Sequence, residues 1–224
     1  MEHTPVFINI PGVPAYVTYS WLAMVILIGV SLLVRRSLRL VPSGTQNVLE
    51  VVVDAMANLA HDNIGHHWGE KFFPLIGTLF MYILVCNFMG LIPGFESPTS
   101  NINMTASCAI PVFLATHYYG IKVHKFSYIK HFLGPIRSIF ALPLMIMMFF
   151  IELIGHLVRP VTLSVRLFGN MFAKHILIGV VLLLVPLAVP SLVLMLGTLV
   201  SLIQAFVFTL LASLFLAGAV EEAH

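Results

Sequence analysis

Charge is the scarcest commodity in this sequence. Asp, Glu, Lys and Arg together make up 9% of its 224 residues, against roughly 25% in an average soluble protein. A water-soluble fold of this length needs a charged shell, which this chain cannot supply. Hydrophobic residues reach 59% and the mean hydropathy is +1.02, so the bilayer is the expected solvent. Cysteine is nearly absent. Cys86 and Cys108 have no metal or redox spacing and sit in or beside apolar runs, which predicts buried free thiols. The first ten residues lack the positive n-region of a cleaved signal peptide. No GxxxxGK[ST], GxGxxG or HExxH occurs, which argues against nucleotide binding and a zincin-type metal site. His61, His66 and His67 cluster without a cysteine pair and read as solvated or interfacial histidines. No repeat or low-complexity tract is visible. The expected fold is all-α: one integral membrane domain over 1–224, with about five membrane-embedded helices and one surface amphipathic helix.

The hydrophobic runs set the layout. A first span over 16–34 ends in Arg35, Arg36 and Arg39. By the positive-inside rule that end is cytoplasmic and the N-terminus lies outside. Ser43 and Gln46 resemble a capping box opening a helix over about 45–62. Its Glu50, Asp54, Asn58 and His61 share one face, and acidic charge favours docking to a partner over anionic lipid. A second span covers about 72–92, a turn-rich outer segment 93–104, and a third span about 105–121. Pro186 and Pro190 bracket an expected tight turn before a last helix over 191–219, leaving the C-terminus cytoplasmic. Eight of the 11 Lys and Arg fall in 35–71 and 122–137, and none in 1–15, 93–104 or 186–190.

The other three, Arg159, Arg166 and Lys174, lie inside an apolar stretch over 139–185. As one helix it would reach about 70 Å, against a hydrocarbon core about 30 Å thick. Either one helix lies tilted about 65° from the membrane normal, beyond the usual range, or two upright helices reverse at Arg159-Pro160. No polar loop accompanies Pro160, which favours the lying helix. At steps of three and four this stretch reads Glu152, His156, Arg159, Leu163, Arg166, Asn170, Lys174. Three cations on one stripe would cost close to 10 kcal/mol if all faced lipid, at about 2.5–3.5 kcal/mol each. The stripe therefore points to an aqueous or protein-facing path. An internal ion-pair seam, such as Glu152 with Arg159, or snorkelling side chains is the structural alternative.

The segment Arg159-Pro-Val-Thr-Leu-Ser-Val-Arg166-Leu-Phe-Gly-Asn170-Met-Phe-Ala closely resembles the signature of the a subunit of bacterial F-type, rotary ATP synthases. Leu202-Ile-Gln204-Ala-Phe-Val-Phe resembles that family's second signature, and the order of hydrophobic segments fits over nearly the whole chain. The resemblance implies a non-catalytic, stationary proton-channel subunit in the bacterial plasma (inner) membrane. Its implied partners are the c-subunit ring, peripheral-stalk b subunits, other ATP synthase subunits and the lipid bilayer, with no cofactor and no nucleic acid. It also implies that Arg166 faces the ring carboxylate, with Asn170 and Gln204 as polar neighbours. Glu152 and His175 match ionisable positions of the proton route, and Arg159 matches a basic residue before Pro-Val. Two departures stand out. Relatives commonly read Ala-Gly-His or Ala-Gly-Glu where this chain reads Ala173-Lys174-His175, which puts a lysine near the outer half-channel. Gly197 stands where some relatives carry an ionisable residue, so that site offers His175 no partner. The rival readings are a secondary ion transporter, which would show internal repeats or paired broken helices, and an intramembrane enzyme, which would need a nucleophile–base or metal constellation.

Overall fold

In a computed structural model, residues 11–36, 44–92, 94–125, 142–184 and 188–220 are described. Arg39, Ser43, Lys130, Arg137, Pro186 and the C-terminal acidic residues lie outside these ranges. Six α-helices account for almost all of the described residues: α1 (Ala15–Arg36), α2 (Thr45–Ile64), α3 (His66–Met89), α4 (Ile102–His124), α5 (Leu142–Leu184) and α6 (Ala188–Val220), with a short 3₁₀ turn at Pro98–Ser100. The all-α expectation holds, and the described residues contain no strand.

Four helices, α1, α3, α5 and α6, are long and apolar enough to cross a membrane. The fifth expected span, α4, is long enough at 23 residues but carries Asn103, Thr105, Thr116, His117, Lys122 and His124, which dilute its apolarity. Part of that polarity is absorbed locally: Thr116 Oγ1 donates to Val112 O at 2.8 Å and Thr105 Oγ1 to Ile102 O at 3.0 Å.

The amphipathic reading of α2 is met. Met56, Leu59 and Ala60 are buried while Glu50, Asp54 and Asn58 are exposed. The described part of this helix begins after Gly44, and the expected capping box falls on Ser43, outside the described residues. Helix α3 begins six residues before the expected 72. Gly65 ends α2 and starts α3 at φ +85°, a backbone conformation that glycine adopts without a Cβ clash. This abrupt turn lets the polar His66-His67-Trp68 run join the helix. Pro74 and Pro111 both sit inside helices. Pro190, expected in the turn, instead lies in the first turn of α6, where a missing N–H costs nothing.

Helix α5 decides the architecture. It is one helix of 43 residues with Pro160 inside it, so the two-span alternative is not met. About 65 Å of helix in a core about 30 Å thick can only lie strongly inclined. It packs against α4, α6 and the 3₁₀ turn. One cluster of buried apolar side chains joins α2 to α6 through residues such as Phe72, Ile76, Ile83, Val112, Leu163, Leu167, Phe208 and Leu216. Helix α1 is held at the side by a smaller cluster of Tyr19, Ala23, Cys86 and Met89. Both cysteines are buried and free.

Candidate functional site

The polar stripe of α5 does not share one environment. Leu163, Leu167, Met171 and Lys174 turn inward, Glu152, His156 and Arg159 are half-buried, and Arg166 and Asn170 are exposed. Arg166 and Asn170 lie one turn apart on the same edge of the helix. Around them Val165, Phe172, Leu202, Ile203 and Phe206 form an exposed apolar surface spread over α5 and α6. The charge is thus set in an otherwise greasy face.

Asn170 is fastened from the neighbouring helix. Its Nδ2 donates to Gln204 Oε1 at 2.5 Å. This joins residues from the two sequence signatures, across the α5–α6 hairpin. Gln204 is 4% exposed, and its Nε2 has no hydrogen-bond partner among the described residues.

On the C-terminal side of Arg166, eight residues or about 12 Å along the helix, lies Lys174, 7% exposed. No ion pair involves it among the described residues; neutral groups solvate it. Its Nζ donates to Ser201 Oγ at 3.0 Å and to Asn87 O at 3.4 Å. The network then continues outward along the chain of the α3–α4 connection. Asn87 Nδ2 donates to Ser201 O at 3.3 Å, Thr99 Oγ1 donates to Asn87 Oδ1 at 2.8 Å, Ser97 and Thr99 share a hydroxyl contact of 2.8 Å, and Ser97 Oγ donates to Cys86 O at 2.9 Å. Asn87, Ser97, Thr99 and Ser201 are each no more than 1% exposed. The apolar mean of the 72–92 run hid Asn87, although a polar residue within such a run is itself a signal. Ser97 and Thr99 were read as an outer turn, yet they point into the protein.

The two departures from the family pattern are in contact. A Cβ at Gly197 would lie 3.2 Å from Lys174 Cδ and 3.1 Å from Leu91 Cδ2. The glycine leaves the room that the lysine stem occupies. His175 lies at the same end, its ring close to Gly90. Its Nδ1 is 2.9 Å from Met171 O. A carbonyl only accepts, so Nδ1 carries the hydrogen and Nε2 of the neutral ring is an acceptor. That Nε2 is buried with no partner among the described residues.

On the N-terminal side of Arg166 the chemistry is different. Glu152 Oε1 and His156 Nε2 are 3.3 Å apart. Among the described residues Arg159 does not form the alternative ion pair with Glu152; its guanidinium lies over the Phe215 ring at 5.2 Å from the centroid, a cation–π contact. His117 of α4, which the sequence reading passed over, meets His156 with ring centroids 5.4 Å apart.

Comparison with known proteins agrees with this arrangement. Residues 17–217 match the family described as ATP synthase A chain. The chain is 52% identical over 208 residues to "ATP synthase subunit a" of Trichlorobacter lovleyi, covering 93% of this chain and 88% of that protein. It is 48% identical over 220 residues to "ATP synthase subunit a" of Geobacter sulfurreducens, covering 98% and 93%, and 50% identical over 208 residues to "ATP synthase subunit a 1" of Pelobacter propionicus, covering 93% and 88%. With both signatures meeting across the α5–α6 hairpin and the match running nearly end to end, the chain belongs to the ATP synthase A chain family.

Proposed function

We propose that this chain is the stationary proton-path subunit of a bacterial F-type ATP synthase, with Arg166 separating two aqueous half-channels that meet the carboxylates of a c-subunit ring. The observation that carries the reading is the position of Arg166. It is exposed in an apolar face, between two separate polar clusters on one inclined helix. A rotor carboxylate moving through lipid must be neutral, because burying its charge is expensive. It must ionise where it exchanges its proton, and a cation within about 4–6 Å favours the ionised form. Arginine suits that role because it stays charged in a poor dielectric. It also repels a bare proton, so protons cross only by riding the ring.

The cluster of Lys174, His175, Asn87 and Ser201 lines the outer half-channel in this reading, and Glu152, His156 and Arg159 line the inner one. The buried Nε2 of His175 and Nε2 of Gln204 support water in the path, since a buried polar group left unpaired costs about 1–3 kcal/mol. Asn170 and Gln204 supply hydrogen bonds without charge beside Arg166. The membrane potential, about 2.3 kcal/mol per charge per 100 mV, drives the flow. The chain itself is non-catalytic and binds neither nucleotide nor nucleic acid. Its partners are the c-ring, the peripheral-stalk b subunits and other synthase subunits, in the plasma membrane with the N-terminus outside and the C-terminus cytoplasmic.

The test is Arg166→Ala in membrane vesicles holding the whole complex. Proton-coupled ATP synthesis is expected to vanish, and near-normal coupling rejects the assignment. Orientation has its own check: a cysteine replacing Glu222 is expected to label from the cytoplasmic face, and labelling only from outside inverts the topology.

A further inference from the structure

Near the basic end of α4, His117, which the proposed path does not yet use, meets the cluster of Glu152, His156 and Arg159. Its ring meets the His156 ring of α5 edge-on, at 5.4 Å between centroids and 75° between planes. His117 Nδ1 lies 2.9 Å from Phe113 O. The carbonyl only accepts, so Nδ1 carries the hydrogen and Nε2 is the nitrogen that gains or loses a proton. His156 in turn reaches Glu152, with Nε2 3.3 Å from Oε1.

Between α4, α5 and α6 lies a cavity of about 10 Å³, lined by Thr116, His117, His156, Arg159, Pro160 and Phe215 among others. That is about the space of one water-sized sphere. Exposure rises along the series, from 13% for the His156 side chain to 39% for Glu152. Two imidazoles and a carboxylate thus form a series from a small cavity between three helices to a more exposed face. An apolar filling would pack the same three-helix junction without polar groups to satisfy.

We infer that His117 is a further proton-transfer residue, forming with His156 and Glu152 a relay on the inner side of Arg166. The inference rests on the function proposed above. Only N–H and O–H bonds change in the step. His117 Nε2–H gives its proton across the cavity, directly or through one water, to His156 Nδ1. His156 Nε2–H gives its own proton to Glu152 Oε1, and the reverse order serves flow in the other direction. Besides the relay itself, Arg159 of α5 is the charged group lining the cavity, and α6 contributes Phe215.

The experiment measures passive proton conductance in everted vesicles carrying the assembled membrane sector, across pH 5.5 to 8, values chosen to bracket the unperturbed histidine pKa of about 6.5. His117→Gln retains an N–H that can donate to Phe113 O, and recovery of the chain with the complex reads assembly. Conductance is expected to fall by about tenfold or more, with its pH dependence across that range flattened. His156→Gln should do the same, and the double variant should be no worse than the worse single one, since the groups act in series. Wild-type conductance and pH profile in His117→Gln overturn the relay, as does a double variant whose losses multiply. If His117→Gln does not assemble, His156→Gln decides alone: an unchanged pH profile overturns the relay. Arg166→Ala in vesicles holding the whole complex separates the two claims. Retained coupling there rejects the proposed function; lost coupling with His117→Gln unaffected rejects the relay only.

Discussion

The two ends of α5 handle buried polarity in opposite ways. Toward its N-terminus, Glu152, His156 and Arg159 are half-buried and ionisable, with an acid, an imidazole and a guanidinium within two turns. Toward its C-terminus, Lys174 is buried among neutral dipoles, with a serine hydroxyl and a backbone carbonyl as its acceptors. The first arrangement can gain and lose protons at several points. The second fixes one basic group in a satisfied shell, and its Asn, Thr and Ser side chains can reorient without changing charge. The energetic consequences differ too. Removing one member of the buried shell strands its partners, whereas a group near the surface can turn to water.

Substitutions should expose that asymmetry. The largest effect on stability is expected from Asn87→Leu, which removes the acceptor of Thr99 and the donor to Ser201 O. A loss of about 2–3 kcal/mol should register as a lower melting temperature of the complex in mild detergent; an unchanged melting temperature means the network is not holding the helices. Gln204→Leu removes a single hydrogen bond to Asn170, worth about 1 kcal/mol. It should slow proton flux less than Arg166→Ala, and an equally complete loss would place Gln204 on a par with the arginine. Lys174→Met keeps the stem over Gly197 and removes the charge. Stability should shift by no more than about 1 kcal/mol in either direction, because the two lost hydrogen bonds are offset by no longer burying a charge and Ser201 Oγ keeps its bond to Gly197 O, while proton flux falls with assembly intact. Flux at the wild-type rate makes Lys174 a packing residue. The smallest stability change is expected from Glu152→Gln, within about 0.5 kcal/mol, again with lowered flux. A large destabilisation there would erase the contrast between the two ends.

Much of this was legible before any coordinates. The 43-residue length of α5 follows from an apolar run without a polar loop, and the weak effect of Pro160 follows from the helix around it. The pairing of Asn170 with Gln204 was foreshadowed by the two signatures that contain them. Helix edges were less legible. The start of α3 depends on the positive φ of Gly65, and Asn101 caps α4 by accepting from Asn103 N at 2.9 Å, four residues before the hydrophobic signal begins. The polar stripe on α5 is legible in the sequence, but the burial of each of its residues is not. A helical period gives the angle of each residue, whereas burial depends on which neighbour covers that angle, and α5 is covered by α4, α6 and the 3₁₀ turn. For the same reason the roles of Asn87, Ser201 and His117 are not legible in the sequence: each lies far along the chain from a group it meets, and only packing brings them together.

The most direct measurement is an electron-microscopy map of the assembled complex in lipid, at a resolution that shows side chains around Arg166. A rotor helix should face the α5–α6 surface, with a carboxylate within about 4–6 Å of the Arg166 guanidinium and water density reaching it from both the Lys174 and the Glu152 ends. Arg166 turned to lipid headgroups, with no acidic helix opposite, would contradict the account.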